Sequence, residues 1–268
     1  MSTIIWKDLL QPYHQACDEF ATKIKNLAAE YKSCGQYSPI ESVYCRIKSP
    51  ESILAKAKRK GVPLTQIEEK IEDIAGIRII CKFADDIKTV VDLMRMRTGF
   101  DFEILAERDY IKNVKSSGYR SYHIIGKYSI FTTSGKKDVN IEVQARTMAM
   151  DFWAKTENSL NYKYGKNGKN LPESLKERLW QCAQVAHMLD CEMNSIRGEV
   201  LEAQQIKHEK SQIVSEIQKN MNAISTIADL DEFINQNEKL IKLCEDGNYE
   251  KLNKLNQQLK QIAVWEEK

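Results

Sequence analysis

Gly118-Tyr119-Arg120-Ser121-Tyr122-His123-Ile124-Ile125 reads as one β-strand, and Val139-Asn140-Ile141-Glu142-Val143-Gln144-Ala145-Arg146 reads as its partner. A strand turns successive side chains to opposite faces. Tyr119, Ser121 and His123 therefore point one way, and Arg120 and Tyr122 the other. The second strand separates more sharply, with Val139, Ile141, Val143 and Ala145 on one side and Asn140, Glu142, Gln144 and Arg146 on the other. Thr132-Thr133-Ser134-Gly135-Lys136-Lys137 makes the turn, where Gly135 is free to take a positive φ. An acid, an amide and a guanidinium backed by an apolar face display chemistry on a rigid floor. A solvated face on a one-sided antiparallel sheet is the plainer alternative.

Upstream, the largely apolar run Ile74–Phe83 reads as a central strand. Asp73 stands at its edge, where a carboxylate can hold a hard cation or simply cap a loop. Phe100–Tyr110 reads as another strand with Arg108 near its end, and residues 86–98 as a helix. Val43–Lys48 is extended and leads to Ser49-Pro50, an N-cap followed by a proline in the first turn. On the helix that follows, Ser52, Lys56 and Arg59 fall at i, i+4 and i+7 on one face, with Lys48 just before it. A hydroxyl-and-cation row at a helix N-terminus suits phosphates, although a solvated basic face has the same pattern.

Residues 4–33 have helical spacing, with Pro12 predicting a kink or a late start. Thr147–Tyr164 reads as a helix offering Met148, Phe152, Trp153 and Leu160 to the sheet. From Pro172 onward the chain is helical: Leu175, Leu179, Cys182, Ala186, Leu189, Met193 and Ile196 share one face. Ile206, Ile213, Ile217, Met221 and Ile224 continue, and Asp229 with Glu232 resembles a capping box. After a turn at Gly247-Asn248, Leu252, Leu255, Leu259 and Ile262 form a heptad seam that requires a partner. Helices and then strands, with few βαβ units, predict α+β: a mixed, mostly antiparallel sheet flanked by helices, with a helical C-terminal extension.

Forty Lys+Arg against 38 Asp+Glu leave a net charge of +2 over 268 residues, so any anion site must come from local clustering. No 18-residue apolar run and no signal peptide are expected. Seven cysteines, an odd number without a C-x-x-C pair, predict reduced thiols in a cytoplasmic protein.

The segments Gly118-Tyr119-Arg120-Ser121-Tyr122-His123 and Glu142-Val143-Gln144-Ala145-Arg146-Thr147 resemble the signature of the (p)ppGpp synthetase domain. Over about residues 4 to 205 the chain resembles the small alarmone synthetases of the RelQ type. The resemblance implies a nucleotidyltransferase-like synthetase fold in 1–205, with 206–268 as a packing or oligomerisation extension. The implied enzyme is a Mg²⁺-dependent GTP pyrophosphokinase that moves the β,γ-pyrophosphate of ATP to the 3′-hydroxyl of GDP or GTP. The absence of a His-Asp dipeptide predicts no hydrolase domain.

Residue by residue, the resemblance implies that Arg46 and Arg78 clasp adenine while Lys48, Ser52, Lys56 and Arg59 hold the ATP phosphates. It implies Asp73 as a Mg²⁺ ligand, and Glu142 as either a second ligand or the base for the 3′-hydroxyl. Tyr119 would stack on guanine, and Arg108, His123 and Gln144 would position the acceptor. A homotetramer assembled through the helix around 172–205 is also implied, and RNA binding as a second activity stays open.

Relatives of the RelQ type bind their product in a central cleft. Of the pattern for that cleft, Lys25 is present here, whereas Ala21, Ala28, Ser42 and Asp151 depart from it, which predicts weak stimulation by pppGpp. Two other classes compete. One is a template-independent nucleotidyltransferase, for which Asp101/Glu103 and Asp229/Asp231 have the carboxylate spacing but lack a preceding Gly-Ser turn; the other is a non-catalytic RNA-binding oligomer.

Overall fold

The structure, a computed structural model, describes residues 5–165, 171–225, 230–245 and 249–266. The chain opens with α1 (Trp6–Ser33), which starts ahead of Pro12 and continues past it, so there is no late start. Next come β1 (Ser42–Ile47), α2 (Pro50–Lys60), a 3-10 turn at Leu64–Gln66 and α3 (Ile67–Lys70). Then follow β2 (Ala75–Cys81), α4 (Ala84–Arg95), β3 (Phe102–Asp109), β4 (Tyr122–Thr132) and β5 (Gly135–Thr147). Helices α5 (Met148–Gly165), α6 (Glu173–Ser225), α7 (Leu230–Glu245) and α8 (Tyr249–Glu266) complete it.

The sheet order is β1-β2-β5-β4-β3, with β2 and β5 parallel and every other pair antiparallel. This is the mixed, mostly antiparallel sheet that the element order predicts. Its apolar face carries Ile77 and Ile79 of β2 and Val139, Ile141 and Val143 of β5. Those side chains share one core with Tyr13, Phe20 and Ile24 of α1 and with Ile87, Val90 and Met94 of α4. The other face is left for chemistry. Gly126 is required where it stands, because a Cβ there would lie 2.3 Å from the Phe102 ring.

Several boundaries move. The tip of the β4–β5 turn is only Thr133-Ser134, since Thr132 already pairs with Gly135. Tyr119–Ser121 precede β4 outside the strand, with the Ser121 carbonyl accepting from Tyr110 N–H at 3.0 Å. Phe100 lies outside β3 and is exposed. In α5 the inward stripe is Met150, Trp153 and Ala154, while Met148, Phe152 and Leu160 face outward, contrary to the sequence reading. At 100° per residue, positions 150, 153 and 154 share a face that 148 and 152 cannot join. In α6 the same slip occurs: Ala183 and Asp190 are buried, whereas Leu189, Met193 and Ile196 are exposed.

The chain forms two compact units, Met1–Asn194 and Ser195–Lys268. In the second, Ile217 and Met221 of α6, Leu240 of α7 and Leu252, Leu255 and Leu259 of α8 make one buried cluster. The α8 seam thus finds its partner within the chain, and no second copy is needed to cover it. Asn256 donates to Glu216 at 2.6 Å and accepts from Asn220 at 3.1 Å, fixing the register of α8 on α6. The Asp229/Glu232 cap and the side chains of Ile224 and Ile262 lie outside the described residues, as does Gly247-Asn248. No described helix is long and apolar enough to cross a membrane.

Candidate active site

Backbone register sets one row across all five strands on the polar face. Tyr44 lies opposite Arg78, Arg78 opposite Gln144, Gln144 opposite His123, and His123 opposite Arg108. In the adjacent row Gly76 lies between Arg46 and Glu142 and adds no side chain, so the floor dips there. The result is a cavity of about 410 Å³ lined by Arg46, Lys48, Asp73, Arg78, Glu142 and Gln144, among others. That is the size of a small-molecule site.

Asp73 enters the cavity from the loop before β2. Its Oδ2 meets Lys48 Nζ at 2.5 Å and Lys56 Nζ at 2.7 Å, while Oδ1 is buried and has no partner. Burial works against its ionisation, and the two ammonium groups outweigh that and hold the carboxyl below the usual carboxylate range. Ser49 caps α2 by accepting from Ser52 N–H at 3.4 Å, which fixes the helix that delivers Lys56. Ser52 and Arg59 share that helix but are exposed, and neither is among the residues lining the cavity. Arg78 Nη1 pairs with Asp151 Oδ1 at 3.2 Å, leaving its buried Nε without a partner.

Beyond Gln144 a one-way hydrogen-bond circuit begins at Arg146, a guanidinium only 4% exposed. Arg146 Nη2 donates to Tyr119 Oη at 2.5 Å and to Gln144 Oε1 at 2.7 Å. Gln144 Nε2 then donates to Glu142 Oε2 at 2.5 Å. On the other branch Tyr119 Oη lies 2.7 Å from His123 Nε2, and His123 Nδ1 lies 3.0 Å from Glu142 Oε1. Because Tyr119 Oη accepts from Arg146, its own proton goes to His123 Nε2; the imidazole proton therefore sits on Nδ1 and points at Glu142. Both branches end on one carboxylate. Burial would raise its pKa, yet the hydrogen bonds from His123 and Gln144 reverse this and hold it below the ordinary value.

Tyr119 is packed as well as hydrogen-bonded. Gly118, with φ +90°, brings the loop so close to α6 that a Cβ would lie 2.6 Å from that of Ala183. Lys115 Nζ lies 4.7 Å from the Tyr119 ring centroid and 4.2 Å from that of Tyr110. Burial lowers the Lys115 pKa. Arg108 is held by both oxygens of Glu72, at 2.9 and 3.1 Å.

Arg46, Lys48, Asp73, Arg78, Glu142 and Gln144 thus meet around one cavity, with Tyr119 and His123 joined to it through hydrogen bonds. Sequence reasoning assigned no role in the active site to Arg146, Lys115 or Lys155, and it considered Asp151 only for the product cleft. Arg146 lies inside the quoted motif, so the signal was present. Asp151 reaches Arg78 and Lys155 at 3.2 and 2.6 Å, turned inward by a helix phase that only the structure reveals.

The family profile described as a region found in RelA / SpoT proteins matches residues 45–167. The Bacillus subtilis GTP pyrophosphokinase YjbM is 48% identical over 199 residues, spanning 74% of this chain and 92% of that protein. GTP pyrophosphokinase YwaC from the same organism is 40% identical over 197 residues, 73% of this chain and 91% of its own. The crystal structure of B. subtilis small alarmone synthetase 1 bound to its product pppGpp aligns with a TM-score of 0.68 at 47% identity, covering 73% of this chain and 97% of that one. A GTP pyrophosphokinase family protein from Streptococcus pneumoniae gives a TM-score of 0.69 at 43% identity, over 76% and 98% of the two chains.

Proposed function

The chain belongs to the RelA/SpoT family of GTP pyrophosphokinases, and on that premise we propose how its residues share the work. The reaction transfers the β,γ-pyrophosphate of ATP to the 3′-hydroxyl of GDP or GTP, making ppGpp or pppGpp and releasing AMP. The observation that carries the assignment is the row across the sheet, with Arg78 at the β1–β2 end, His123 and Arg108 at the β4–β3 end and Glu142 beside its centre.

ATP occupies the cavity, its adenine between Arg46 and Arg78, whose unpartnered Nε is a spare donor. Lys48 and Lys56 turn from Asp73 to the phosphates, with Ser52 and Arg59 extending the cationic edge along α2. The donor set fits Mg²⁺: Asp73 Oδ1 is buried and free, and the Glu142 carboxylate lines the same cavity. No group of three or more candidate ligands occurs among the described residues, so phosphate oxygens and water would complete the shell. A Mg²⁺ ion held there would offset the charge developing on the transferred group.

The guanine stacks on Tyr119, whose ring is fixed by Arg146 and His123, while Arg108 and Lys115 meet the acceptor phosphates. Glu142 orients the 3′-hydroxyl and accepts its proton late, as the new O–P bond forms. A carboxylate held at low pKa is a weak early base, which suits a loose transition state. Residues 1–205 carry this chemistry. The homotetramer would use the exposed apolar side chains Val185, Met188, Leu189 and Met193 of α6.

Steady-state kinetics test the division. Arg46→Ala and Arg78→Ala should each raise KM for ATP by about tenfold, the worth of a lost charged hydrogen bond, and leave KM for GDP unchanged. Arg108→Ala should do the reverse. Equal effects on both nucleotides from all three variants would overturn the assignment.

A further inference from the structure

Behind the wall of the ATP cavity two cysteines meet. Cys45 lies on β1, lines the cavity beside Tyr44 and Arg46, and is exposed. Cys17 lies on α1 within the core and is 1% exposed. Cys45 Sγ donates to the Cys17 carbonyl oxygen at 3.1 Å, so the Cys45 thiol packs directly on Cys17. Cys17 Sγ in turn lies 3.9 Å from the carbonyl oxygen of Gly76, on the cavity floor. Nothing in the transfer chemistry uses either cysteine.

We propose that Cys45 is a thiol modification site, oxidised by a peroxide to a disulfide with Cys17 that weakens ATP binding. The proposal rests on the donor-site reading above.

The two thiols divide the work by exposure and charge. The hydrogen bond from Cys17 lowers the Cys45 pKa, with the Lys25 ammonium adding to this against burial and the Asp18 carboxylate. The same contact and burial raise the Cys17 pKa. Cys45, exposed and the more acidic of the two, is therefore the thiol that meets oxidant, and the buried Cys17 is the one that resolves it. The Cys45 thiolate attacks one peroxide oxygen, the O–O bond breaks, and hydroxide leaves and is protonated to water. Cys17 sulfur then attacks the Cys45 sulfenic sulfur; the S–O bond breaks and hydroxide again leaves, taking up the Cys17 proton as water. Two thiols thereby give two electrons to one hydrogen peroxide.

A covalent S–S bond is shorter than any thiol–thiol hydrogen bond. Closing it pulls β1 toward α1, and β1 can yield because it is an edge strand paired on one side only. Arg46 is the next residue and Lys48 follows two further on, so the cavity wall moves with the bond.

The test treats the full-length enzyme with equimolar hydrogen peroxide and then measures non-reduced peptide masses and initial rates. A linked peptide joining Cys17 and Cys45 is expected, with KM for ATP raised about tenfold, the loss of roughly one charged contact, and restored by dithiothreitol. In Cys17→Ala the oxidation should stop at sulfenic acid, trapped on Cys45 by dimedone. Modification of Cys34 or Cys182 without a 17–45 link would overturn the proposal, as would a linked enzyme with unchanged KM for ATP. If Arg46→Ala in the reduced enzyme also left that KM unchanged, the donor-site reading would be at fault rather than the bond.

Discussion

Glu142→Gln tests the hydrogen-bond circuit most sharply, because the amide keeps the shape and reverses half of the polarity. In the parent, Oε1 faces His123 Nδ1 at 3.0 Å and Oε2 accepts from Gln144 Nε2 at 2.5 Å. A glutamine offers one oxygen, so its NH₂ must confront one of those donors. Moving the His123 proton to Nε2 only passes the mismatch to Tyr119 Oη, 2.7 Å away. The carboxylate is 12% exposed, so water does little to relieve the unpaired donor. The expected cost is about 1–3 kcal/mol, with Tm falling by roughly 2–4 °C per kcal/mol. The lost charge weighs more on the rate. Two unit charges about 4 Å apart at an effective dielectric near 20 interact by about 4 kcal/mol. If half of that is felt only in the transition state, turnover falls by roughly 30-fold, somewhat less than the roughly 10²-fold or more seen for removing one oxyanion-hole donor. The assay is AMP release at saturating ATP, GDP and Mg²⁺, beside a thermal melt. Turnover within about threefold of the parent, with a lowered Tm, would refute the reasoning.

Asp73→Asn should cost a similar factor in turnover. Its pKa is lowered in the folded state, so its contribution to stability is complete above the ordinary carboxylate pKa and is lost as pH falls through the lowered value. The Tm gap between Asp73→Asn and the parent should therefore be present at pH 7 and close in acid; a gap that widens in acid would contradict the lysine pairing. Tyr119→Phe should keep the ring and lower kcat, while Tyr119→Leu should raise KM for GDP; equal behaviour of the two would remove the hydroxyl from the circuit. Truncation after Gln205 removes α7, α8 and the part of α6 they cover, so synthetase activity should persist, and an inactive, well-folded product would show that the extension contributes to the site. Added pppGpp should change initial rates little, and a severalfold activation lost in Lys25→Ala would show a working product cleft.

Alternation by twos made the β5 face legible from sequence, since Val139 through Arg146 carries its pattern without help from neighbours. The capped start at Ser49-Pro50 was equally local, and it places Lys56. What the sequence hid was phase and partnership. Trp153 and Phe152 are adjacent and both aromatic, yet one is buried and the other 73% exposed. Only the docking of α5 decides between them. Leu252, Leu255 and Leu259 announced a seam, but their partners Ile217 and Leu240 are too far along the chain for spacing to link them. Arg146 stood in plain view as one polar residue among four, and its reach to Tyr119 depends on the loop that precedes β4. The cysteine count pointed to free thiols, and the Cys17–Cys45 contact comes from α1 lying across β1.

The central claim is that pyrophosphate, and not a nucleotidyl or a single phosphoryl group, leaves ATP. ATP labelled at its β-phosphate, incubated with GDP and Mg²⁺ and resolved by thin-layer chromatography, tests it directly. The account predicts that the label moves to ppGpp, with unlabelled AMP released in equal amount. Label appearing in free pyrophosphate with an adenylated acceptor, or remaining in ADP, would contradict it.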